Sequence, residues 1–512
     1  MRRILSLIVV LTLVLGATGL FAASADWKGY YVAKYYNLIR DFKDPAAASK
    51  ESYVFQKLEL YPTLKVSDNV AVNAGFFSQN YWGNGRLYGI GSEYPIGTDT
   101  GAYAGAVDNN PITVEAGKED VVLGISSAWA TLTFLDGALK IDVGRRKNAK
   151  WGTGAFFGTD FTPDRIYIDY RTPFMGGTLI PYFIYELRNM GSSTIIGSAT
   201  ESYTNKKSEK MQQLLFGAIY FAPGKTLIGL VINPNFVGGA WKNIPAANNT
   251  GKQTSALFWA IDLYADHRVV VDEMLSVKPI VEVLYGFGTV DEGTGLTDTL
   301  ILGGFANLKK VSVDILNFIV KADVVAKNMV TFTPEFGYNK TVKKAKRDEI
   351  VYNFWAPNEF CGGEYKIGNI FRGVRGGFSI VYQVLGTDYE NKNPGWWYLK
   401  GNLQADILGQ FVKGLNAYFA YIMAQADGKG IVANLENPAG QDNKIVTEFD
   451  AGISYAIDST TKVGFDFGYA KWGKSGLAHT APPVHNNTTA SQLAGNRERT
   501  DTFYQVKLEV KF

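Results

Sequence analysis

The sequence predicts an all-β fold, a single transmembrane antiparallel β-barrel of about 18 strands, with roughly 16 to 20 allowed. Three observations support this prediction. Many segments alternate apolar and polar residues, short turns alternate with long polar loops, and no Pro- or Ser-rich linker divides the chain. Because successive side chains of a strand point to opposite faces, alternation gives a ribbon with one apolar and one polar side. Repeated soluble sandwich domains are the alternative, but they predict a period of about 100 residues that this sequence lacks.

Residues 1–25 have the pattern of a cleaved secretory signal peptide, which leaves 26–512 for the barrel. Arg2 and Arg3 form a positive start, an uncharged and mostly apolar run follows, and Ala23-Ser24-Ala25 is a small-residue cleavage site. An uncleaved membrane anchor is the alternative. After Asp26 there is no run of about 18 or more apolar residues, so no helical membrane span is expected.

The composition excludes several classes of function. The chain has 51 basic and 48 acidic residues, a balance that gives no reason to expect nucleic acid as a partner. Cys361 is the single cysteine, so an intramolecular disulfide is impossible. The many Tyr, Phe and Gly residues suit strands, tight turns and interfacial aromatic girdles.

The strands are predicted to form hairpins with tight turns. Residues 54–61 alternate, and the turn Ser67-Asp68-Asn69 leads into a second strand at 70–77. Asp and Asn bond to their own backbone and tolerate left-handed conformations, which favours a turn here. The same unit recurs at 128–146, 166–188, 214–233, 397–425 and 447–471, and long loops are predicted near 189–210, 235–254, 427–444 and 473–500. Between about 298 and 375 the turns cannot be placed from the pattern.

The chain ends on an alternating strand that closes with an aromatic residue. Its apolar face carries Tyr504, Val506, Leu508, Val510 and Phe512, and its polar face carries Gln505, Lys507, Glu509 and Lys511. This ending resembles the terminal signal by which the bacterial barrel-assembly machinery recognises outer-membrane β-barrels. The resemblance implies an outer-membrane location, with lipid and that machinery as partners, and a barrel with short periplasmic turns and long extracellular loops.

The polar faces of the strands predict a charged lumen. A lipid-facing Arg or Lys costs roughly 2–4 kcal/mol at mid-bilayer, so these side chains should point inward. The predicted pore-lining residues are Lys57, Glu59, Lys140, Asp142, Arg146, Asp169, Arg171, Glu186, Arg188, Lys400, Asp406, Glu448, Asp450 and Asp466, and Lys507 and Glu509 share their parity. Arg146, Arg171 and Arg188 could form a basic ladder. The equally weighted alternative is a set of ion pairs that hold the barrel in shape.

The remaining motifs do not predict a catalytic, metal-binding or phosphate-binding site. Gly468–Ser475 fits G-x-x-x-x-G-K-S, but the following Pro482-Pro483 region starts no helix, so a phosphate site is not expected. His267, His479 and His485 lack the spacing and partners of a metal site, and no catalytic residues are predicted. Trp396-Trp397-Tyr398 is interpreted as an interfacial girdle in preference to a sugar-stacking platform.

The stretch from Gly144 to Gly152 resembles a glycine- and arginine-containing loop of alginate-export-type barrels. That pattern has a Gln after its Arg and a later Arg-Leu pair, and both are missing here. No substrate is therefore inferred from the resemblance.

The whole pattern resembles porin-like outer-membrane barrels. The function expected from it is passive diffusion of small hydrophilic solutes or ions, without enzyme activity, cofactor or metal, and with weak ion selectivity. The loop at 78–122 is the longest well-bounded candidate for a constriction or lid, and both the loop that gates and the oligomeric state, monomer or homotrimer, stay open. One alternative is a structural or adhesive barrel with a closed lumen and partner-binding surface loops. A barrel-embedded hydrolase is another.

Overall fold

The computed structural model describes residues 24–42, 49–82, 122–146, 151–156, 164–190, 209–238, 255–290, 310–327, 329–341, 349–353, 365, 367–371, 377–384, 387–391, 395–406, 409, 412–427, 443–473 and 499–512. The strands are β1 (Ser24–Phe42), β2 (Ser49–Ser67), β3 (Val70–Trp82), β4 (Val122–Phe134), β5 (Leu139–Arg145), β6 (Asp164–Tyr170), β7 (Thr172–Phe174), β8 (Gly177–Met190), β9 (Glu209–Ala222), β10 (Thr226–Gly238), β11 (Ser255–His267), β12 (Val269–Val270), β13 (Leu275–Val290), β14 (Lys310–Ala326), β15 (Val330–Asn339), β16 (Glu349–Asn353), β17 (Gly377–Val384), β18 (Thr387–Asn391), β19 (Trp396–Ala405), β20 (Leu415–Ala426), β21 (Lys444–Ala456), β22 (Thr461–Trp472) and β23 (Arg499–Lys511).

In the part of the chain that the structure describes, one sheet closes on itself into an 18-strand antiparallel barrel. Strands β6 and β7 together form one wall strand, as do β11 and β12, because each pair lies against a single neighbour. Closure comes from β1, which pairs with β2 on one side and β23 on the other. A closed sheet leaves no unpaired edge in hydrocarbon, where each orphaned backbone group costs several kcal/mol. The predicted fold and strand count are confirmed.

The sheet register separates an outer from an inner face. On the outer face Val143, Ile166 and Phe465 are exposed, as expected for apolar residues that face lipid. On the terminal strand, Val506 is 53% exposed and its neighbour Gln505 only 5% exposed, so the predicted alternation of the last strand is observed. Among the described helical segments, none is both long and apolar enough to cross a membrane.

Tight turns join neighbouring strands where the sequence predicted them, at 67–69, 136–137, 175–177, 222–224 and 458–460, and Gly414, with φ of 88°, lies just before β20 at the end of a longer connection. At the turn 458–460, the backbone N–H groups of Thr460 and Thr461 each donate to Asp458 Oδ1 at 2.7 Å. The Thr460 hydroxyl and these N–H groups hold the pKa of Asp458 below its usual range. Asp thus builds the turn with its own side chain, as its sequence preference implies.

The sheet forks between about 298 and 375, the region in which the sequence pattern does not place the turns. Strand β14 pairs with β15 from Asn317 onward, but over Lys310–Val313 it pairs in parallel with β16. Strands β16, β17 and β18 therefore extend the sheet from β14 without belonging to the barrel wall. A fork and a detached three-strand extension do not repeat the hairpin period, which is why the sequence pattern fails between 298 and 375.

The seam between the first and last strands is sealed by the final residue. Phe512 N–H donates to the Gly29 carbonyl at 3.0 Å, and Gly29 N–H donates back to the Phe512 carbonyl. The Phe512 ring lies where a side chain on residue 29 would stand, so only glycine leaves room for it.

We expect Gly29→Val to displace the Phe512 ring and weaken the seam by about 1–3 kcal/mol, the usual cost of overpacking. The urea midpoint of the folded, heat-modifiable band on gels measures this. Gly401→Val is the matched control, because Phe332 lies 3.6 Å from its added Cβ, an ordinary contact. Equal midpoints for the two variants would contradict the role given to Gly29.

Candidate functional site

The candidate site is the lumen of the barrel, into which two segments between strands fold. We call residues 151–156 the first inner segment, and residues 365 and 367–371 the second inner segment. Both are buried against inward-facing side chains of the wall. The predicted constriction at 78–122 lies outside the described residues, except at its two ends in β3 and β4.

The first inner segment is held by a wall carboxylate and an aromatic contact. Thr153 N–H donates to Glu282 Oε2 at 2.7 Å. The Trp151 ring packs edge-on against Tyr182 with 6.0 Å between ring centroids. Trp151 also occupies the space beside Gly229, where a side chain would collide with the indole. Glu282 is fully buried, so this hydrogen bond is shielded from water.

The second inner segment is held by two carboxylates on β21. Glu448 accepts the backbone N–H of Ile370 on Oε1 and that of Phe371 on Oε2, both at 2.7 Å. Asp450 Oδ2 accepts the N–H of Asn369 at 3.0 Å. Three consecutive backbone donors therefore converge on two carboxylates that stand two residues apart on the inner face. Both acidic side chains are buried, so these hydrogen bonds are shielded from water.

Side chains of the second inner segment complete its fit. The Asn369 amide donates to the Tyr418 hydroxyl and to the Phe467 carbonyl, both at 3.0 Å. The Phe371 ring lies edge-on to Trp396 at 5.7 Å and to Trp472 at 6.2 Å between centroids. The segment is thus packed as a core element.

The inner segments and the wall behind them form one apolar cluster. Its buried members are Ala155, Phe156, Ala260, Leu284, Ile315, Ile319, Ile367, Phe371, Trp396, Tyr398, Ala420, Ile422, Ala424, Ala426, Ile445, Val446, Ala470 and Trp472. Those outside the two inner segments lie on β11, β13, β14 and β19–β22, and we call this wall the packed side of the lumen. Trp396 and Tyr398 belong to it, at 3% and 0% exposure. The girdle interpretation of this triplet is therefore wrong for both, and only Trp397 faces outward.

Across the lumen, charged side chains of β23, β2 and β5 stay partly accessible. Lys57 and Glu59 form an ion pair of 2.6 Å, and their side chains are 20% and 14% exposed. Lys507 and Glu509 form one of 3.3 Å at 24% and 22% exposure, and the Tyr30 hydroxyl donates to Glu509 at 2.8 Å. We call the inward face that carries Lys507 and Glu509 on β23, Lys57 and Glu59 on β2, and the polar residues of β3, β4 and β5 the open side of the lumen.

A hydrogen-bonded chain crosses four neighbouring strands on the open side. The Thr63 hydroxyl donates to Asn73 Oδ1 at 2.9 Å, and the Asn73 amide donates to Thr131 Oγ1 at 3.2 Å. The Thr131 hydroxyl in turn donates to Asp142 Oδ1 at 2.7 Å. Asp142 is fully buried, and these hydrogen bonds hold its carboxyl group in position.

Asp142 pairs with two cations, one on β5 and one just after its end. Its other oxygen lies 3.5 Å from Lys140 Nζ and also pairs with the Arg146 guanidinium. Arg146 lies over the rings of Trp129 and Tyr167, 5.9 and 5.3 Å from their centroids, which favours a cation. Arg171, another member of the predicted basic ladder, is 4.0 Å from Asp169. Arg146 and Arg171 are thus each beside a carboxylate, and the Arg188 side chain lies outside the described ones.

The register places the predicted lining residues on the inward side, but they differ in their surroundings. Glu448 and Asp450 are covered by the second inner segment, and Glu186 is buried beside Arg165 at 3.8 Å. Lys400 and Asp466 face inward from β19 and β22, and Asp406 is exposed just beyond the end of β19. Sequence reasoning did not single out Asp262, Glu282, Glu335, Arg165 or Lys34. On β13, for example, Lys278-Pro279-Ile280-Val281-Glu282 does not alternate strictly between polar and apolar residues, so alternation did not mark Glu282 as inward-facing.

Possible metal ligands and the phosphate-loop pattern are the two remaining features of the sequence that could indicate chemistry. Within the described ranges, no set of three or more His, Cys, Asp or Glu side chains is placed to hold a metal ion. The stretch that fits the phosphate-loop pattern runs along β22 as far as Trp472, and its last two residues, Lys474 and Ser475, lie outside the described part.

Comparison with known proteins shows a similarity of fold and no similarity of sequence family. No protein-family profile matches the sequence, and no curated protein is significantly similar to it. The crystal structure of Pseudomonas aeruginosa OccK9 (OpdG) matches with a TM-score of 0.51 at 10% identity, over 95% of this chain and 99% of that one. P. aeruginosa OccK2 (OpdF) in complex with glucuronate gives 0.49 at 10% identity, over 95% and 98%. The outer membrane protein OpdK of the same organism gives 0.48 at 12%, over 95% and 99%. At this identity the match to OccK9 supports a shared barrel fold.

Proposed function

We propose that the protein is an outer-membrane channel through which small hydrophilic solutes and ions diffuse passively. The observation that carries this is the two-sided lumen. Inner segments fill the packed side, whereas Lys57, Glu59, Lys507 and Glu509 on the open side keep partly exposed charged groups inside a closed wall. Charged side chains would not be stable there without water.

The mechanism that follows is restricted diffusion. A barrel of about 16 to 18 strands is wide enough for an aqueous channel, and inner segments narrow it. Selectivity would come from the charges on the open side and from the width that the inner segments leave. No bond is made or broken, and no cofactor is required.

Single-channel recording of the purified, refolded protein in planar bilayers tests the proposal. We expect discrete and reproducible conductance steps. A folded, heat-modifiable barrel that gives no steps would contradict the channel function and support the structural or adhesive alternative, in which surface loops bind a partner and the lumen is closed.

Ion selectivity should be weak because the accessible charges occur in opposite-sign pairs. Under a KCl gradient we expect a reversal potential close to zero. Neutralising only the acids, with Glu59→Gln and Glu509→Gln, leaves the lysines unbalanced and should shift the reversal potential toward the value for anions. Asp68→Asn, in the exposed turn after β2, is the matched control. An unchanged reversal potential would show that ions do not pass this wall.

We also propose that the protein is exported and then assembled into the outer membrane. Residues 1–25 would be removed during export, and the terminal strand with Phe512 would be recognised by the barrel-assembly machinery. Amino-terminal sequencing of protein extracted from outer membranes tests the first point. A retained leader would contradict it.

A further inference from the structure

We propose that the carboxyl groups of Asp262 and Glu282 form a proton-dependent switch, which holds the first inner segment in the lumen while the pair keeps one proton and releases the segment when that proton is lost. The inference rests on the proposed channel function and concerns how that channel is regulated. It starts from two acidic side chains on the inner face of β11 and β13, both of which are fully buried.

The two carboxyl groups face each other across neighbouring strands. Glu282 lies opposite Tyr264, two residues from Asp262 on β11, so both acidic side chains point inward, and their carboxyl groups interact directly. From the described residues, neither oxygen of Asp262 and not Oε1 of Glu282 accepts a hydrogen bond. Two ionised carboxylates in contact repel each other, and burial removes the water that would screen them, so such a pair keeps one proton. That proton lets one carboxyl group donate to the other.

The surroundings of the pair compensate one negative charge. Lys321 of β14 faces Glu282. The other titratable side chains that face the pair, among those described, are Tyr182 of β8, Tyr264 of β11 and Tyr365 of the second inner segment. Tyrosine is ordinarily neutral and lysine charged between about pH 5 and 9. The lysine therefore offsets one carboxylate, and a second ionisation is left without compensation.

The first inner segment covers this pair. Thr153 N–H donates to Glu282 Oε2 at 2.7 Å. The backbone of Gly152 lies so close to the same carboxyl group that a side chain there would collide with it. The Trp151 indole N–H lies beside Asp262. While the segment is bound, the pair is kept from water, and its release lets water reach both carboxyl groups.

The sign of the pH dependence follows from this difference in hydration. A carboxyl group in water ionises near about pH 4, so the uncovered pair loses both protons at a lower pH than the covered pair does. The covered state therefore binds more protons than the released state. Its stability relative to the released state falls as the pH rises, by up to about tenfold per pH unit for one proton. High pH is expected to release the segment and to widen the channel.

Hydrogen–deuterium exchange of a peptide that contains 151–156 tests the switch, because Thr153 N–H is one of the donors that hold the segment. Protection is expressed relative to the same peptide free in solution at the same pH, which removes the intrinsic effect of pH on exchange. For the wild-type protein we expect protection to fall at least about tenfold between about pH 5 and 9. Protection that stays constant over this range would overturn the proposal.

Asp262→Asn should abolish the pH dependence, because its amide donates to Glu282 at every pH and loses no proton. The matched control is Asp266→Asn, also buried on β11, where the carboxylate lies 3.0 Å from Lys278 Nζ and belongs to no carboxyl pair. Its protection should fall with pH as in the wild type. The heat-modifiable band on gels shows that each variant is folded, and the wild-type profile decides the matter if Asp262→Asn does not fold.

Conductance over the same pH range separates the switch from the channel. We expect more time in the wider conductance step at high pH for the wild type and no such change for Asp262→Asn. Conductance steps together with pH-independent protection, or a pH dependence that persists in Asp262→Asn, would overturn the switch and leave the channel intact. Absence of conductance from folded wild-type protein would overturn the channel, and the exchange measurement would then decide the switch by itself.

Discussion

Glu448→Gln is expected to release the second inner segment and to produce larger, fluctuating conductance steps. Both carboxylate oxygens accept backbone N–H groups of that segment, from Ile370 and Phe371 at 2.7 Å. An amide of the same shape replaces one acceptor with an NH₂ donor, which then faces another donor. Loss of an acceptor and an unmet buried donor together cost about 1–3 kcal/mol, which corresponds to a roughly five- to hundredfold change in the closed-to-open ratio.

Single-channel recordings measure the effect as the fraction of time spent in the larger step. Glu186→Gln is the matched control, because Glu186 is equally buried but lies beside Arg165 of the neighbouring strand. If Glu448→Gln leaves the step size and the noise unchanged while the barrel stays folded, the second inner segment does not constrict the channel. Adding Asp450→Asn should enlarge the effect, because it weakens the contact with the third N–H, that of Asn369.

Gly337→Val is expected to destabilise the packed side more than any substitution on the open side. Gly337 lies directly opposite Tyr398, whose ring covers the glycine and occupies the space that a side chain would need. Tyr398 is fully buried, stacks on Trp396 at 5.8 Å and donates its hydroxyl to Glu335 at 2.6 Å. Displacing the ring loses all three interactions, so we expect a loss of about 3 kcal/mol in the free energy of unfolding.

Urea titration of the folded band measures that loss, and Gly464→Val is the inward-facing control. Its added Cβ would meet its nearest neighbours at 3.6 Å, which is ordinary contact. The double variant Gly337→Val with Tyr398→Ala should lose less than the sum of the single variants, because the collision is already removed. Strict additivity would show that the glycine acts independently of the tyrosine.

The barrel could be predicted from the sequence because its causes are local. On β23, the alternation from Tyr504 to Phe512 fixes which side chains face lipid, and Asp458 builds its turn from its own side chain. Closure, strand count and tight turns follow from repeating such units. The fork at β14 could not be predicted, because the parallel pairing with β16 depends on a partner that no alternation marks.

The inner segments were missed for a different physical reason. Glu448 and Asp450 bind the second inner segment through its backbone N–H groups, and every residue type except proline has that donor. The sequence therefore carries no side-chain signal for the partnership. Gly368, which leaves room for the Glu448 carboxylate, Asn369 and the aromatic Phe371 are the marks that its side chains leave in the sequence. For the same reason, alternation shows that Glu448 faces inward but cannot show that a segment covers it.

Because the second inner segment binds through its backbone donors, it covers two acidic side chains as well as filling space. Its release from the wall would widen the channel and would expose Glu448 and Asp450 to water at the same moment. The pore width and the preference for cations would then both depend on the same conformational equilibrium of the second inner segment. In a channel built this way, a cation that binds the uncovered carboxylates stabilises the wide state, so the permeating ion itself helps to set how often the channel is open.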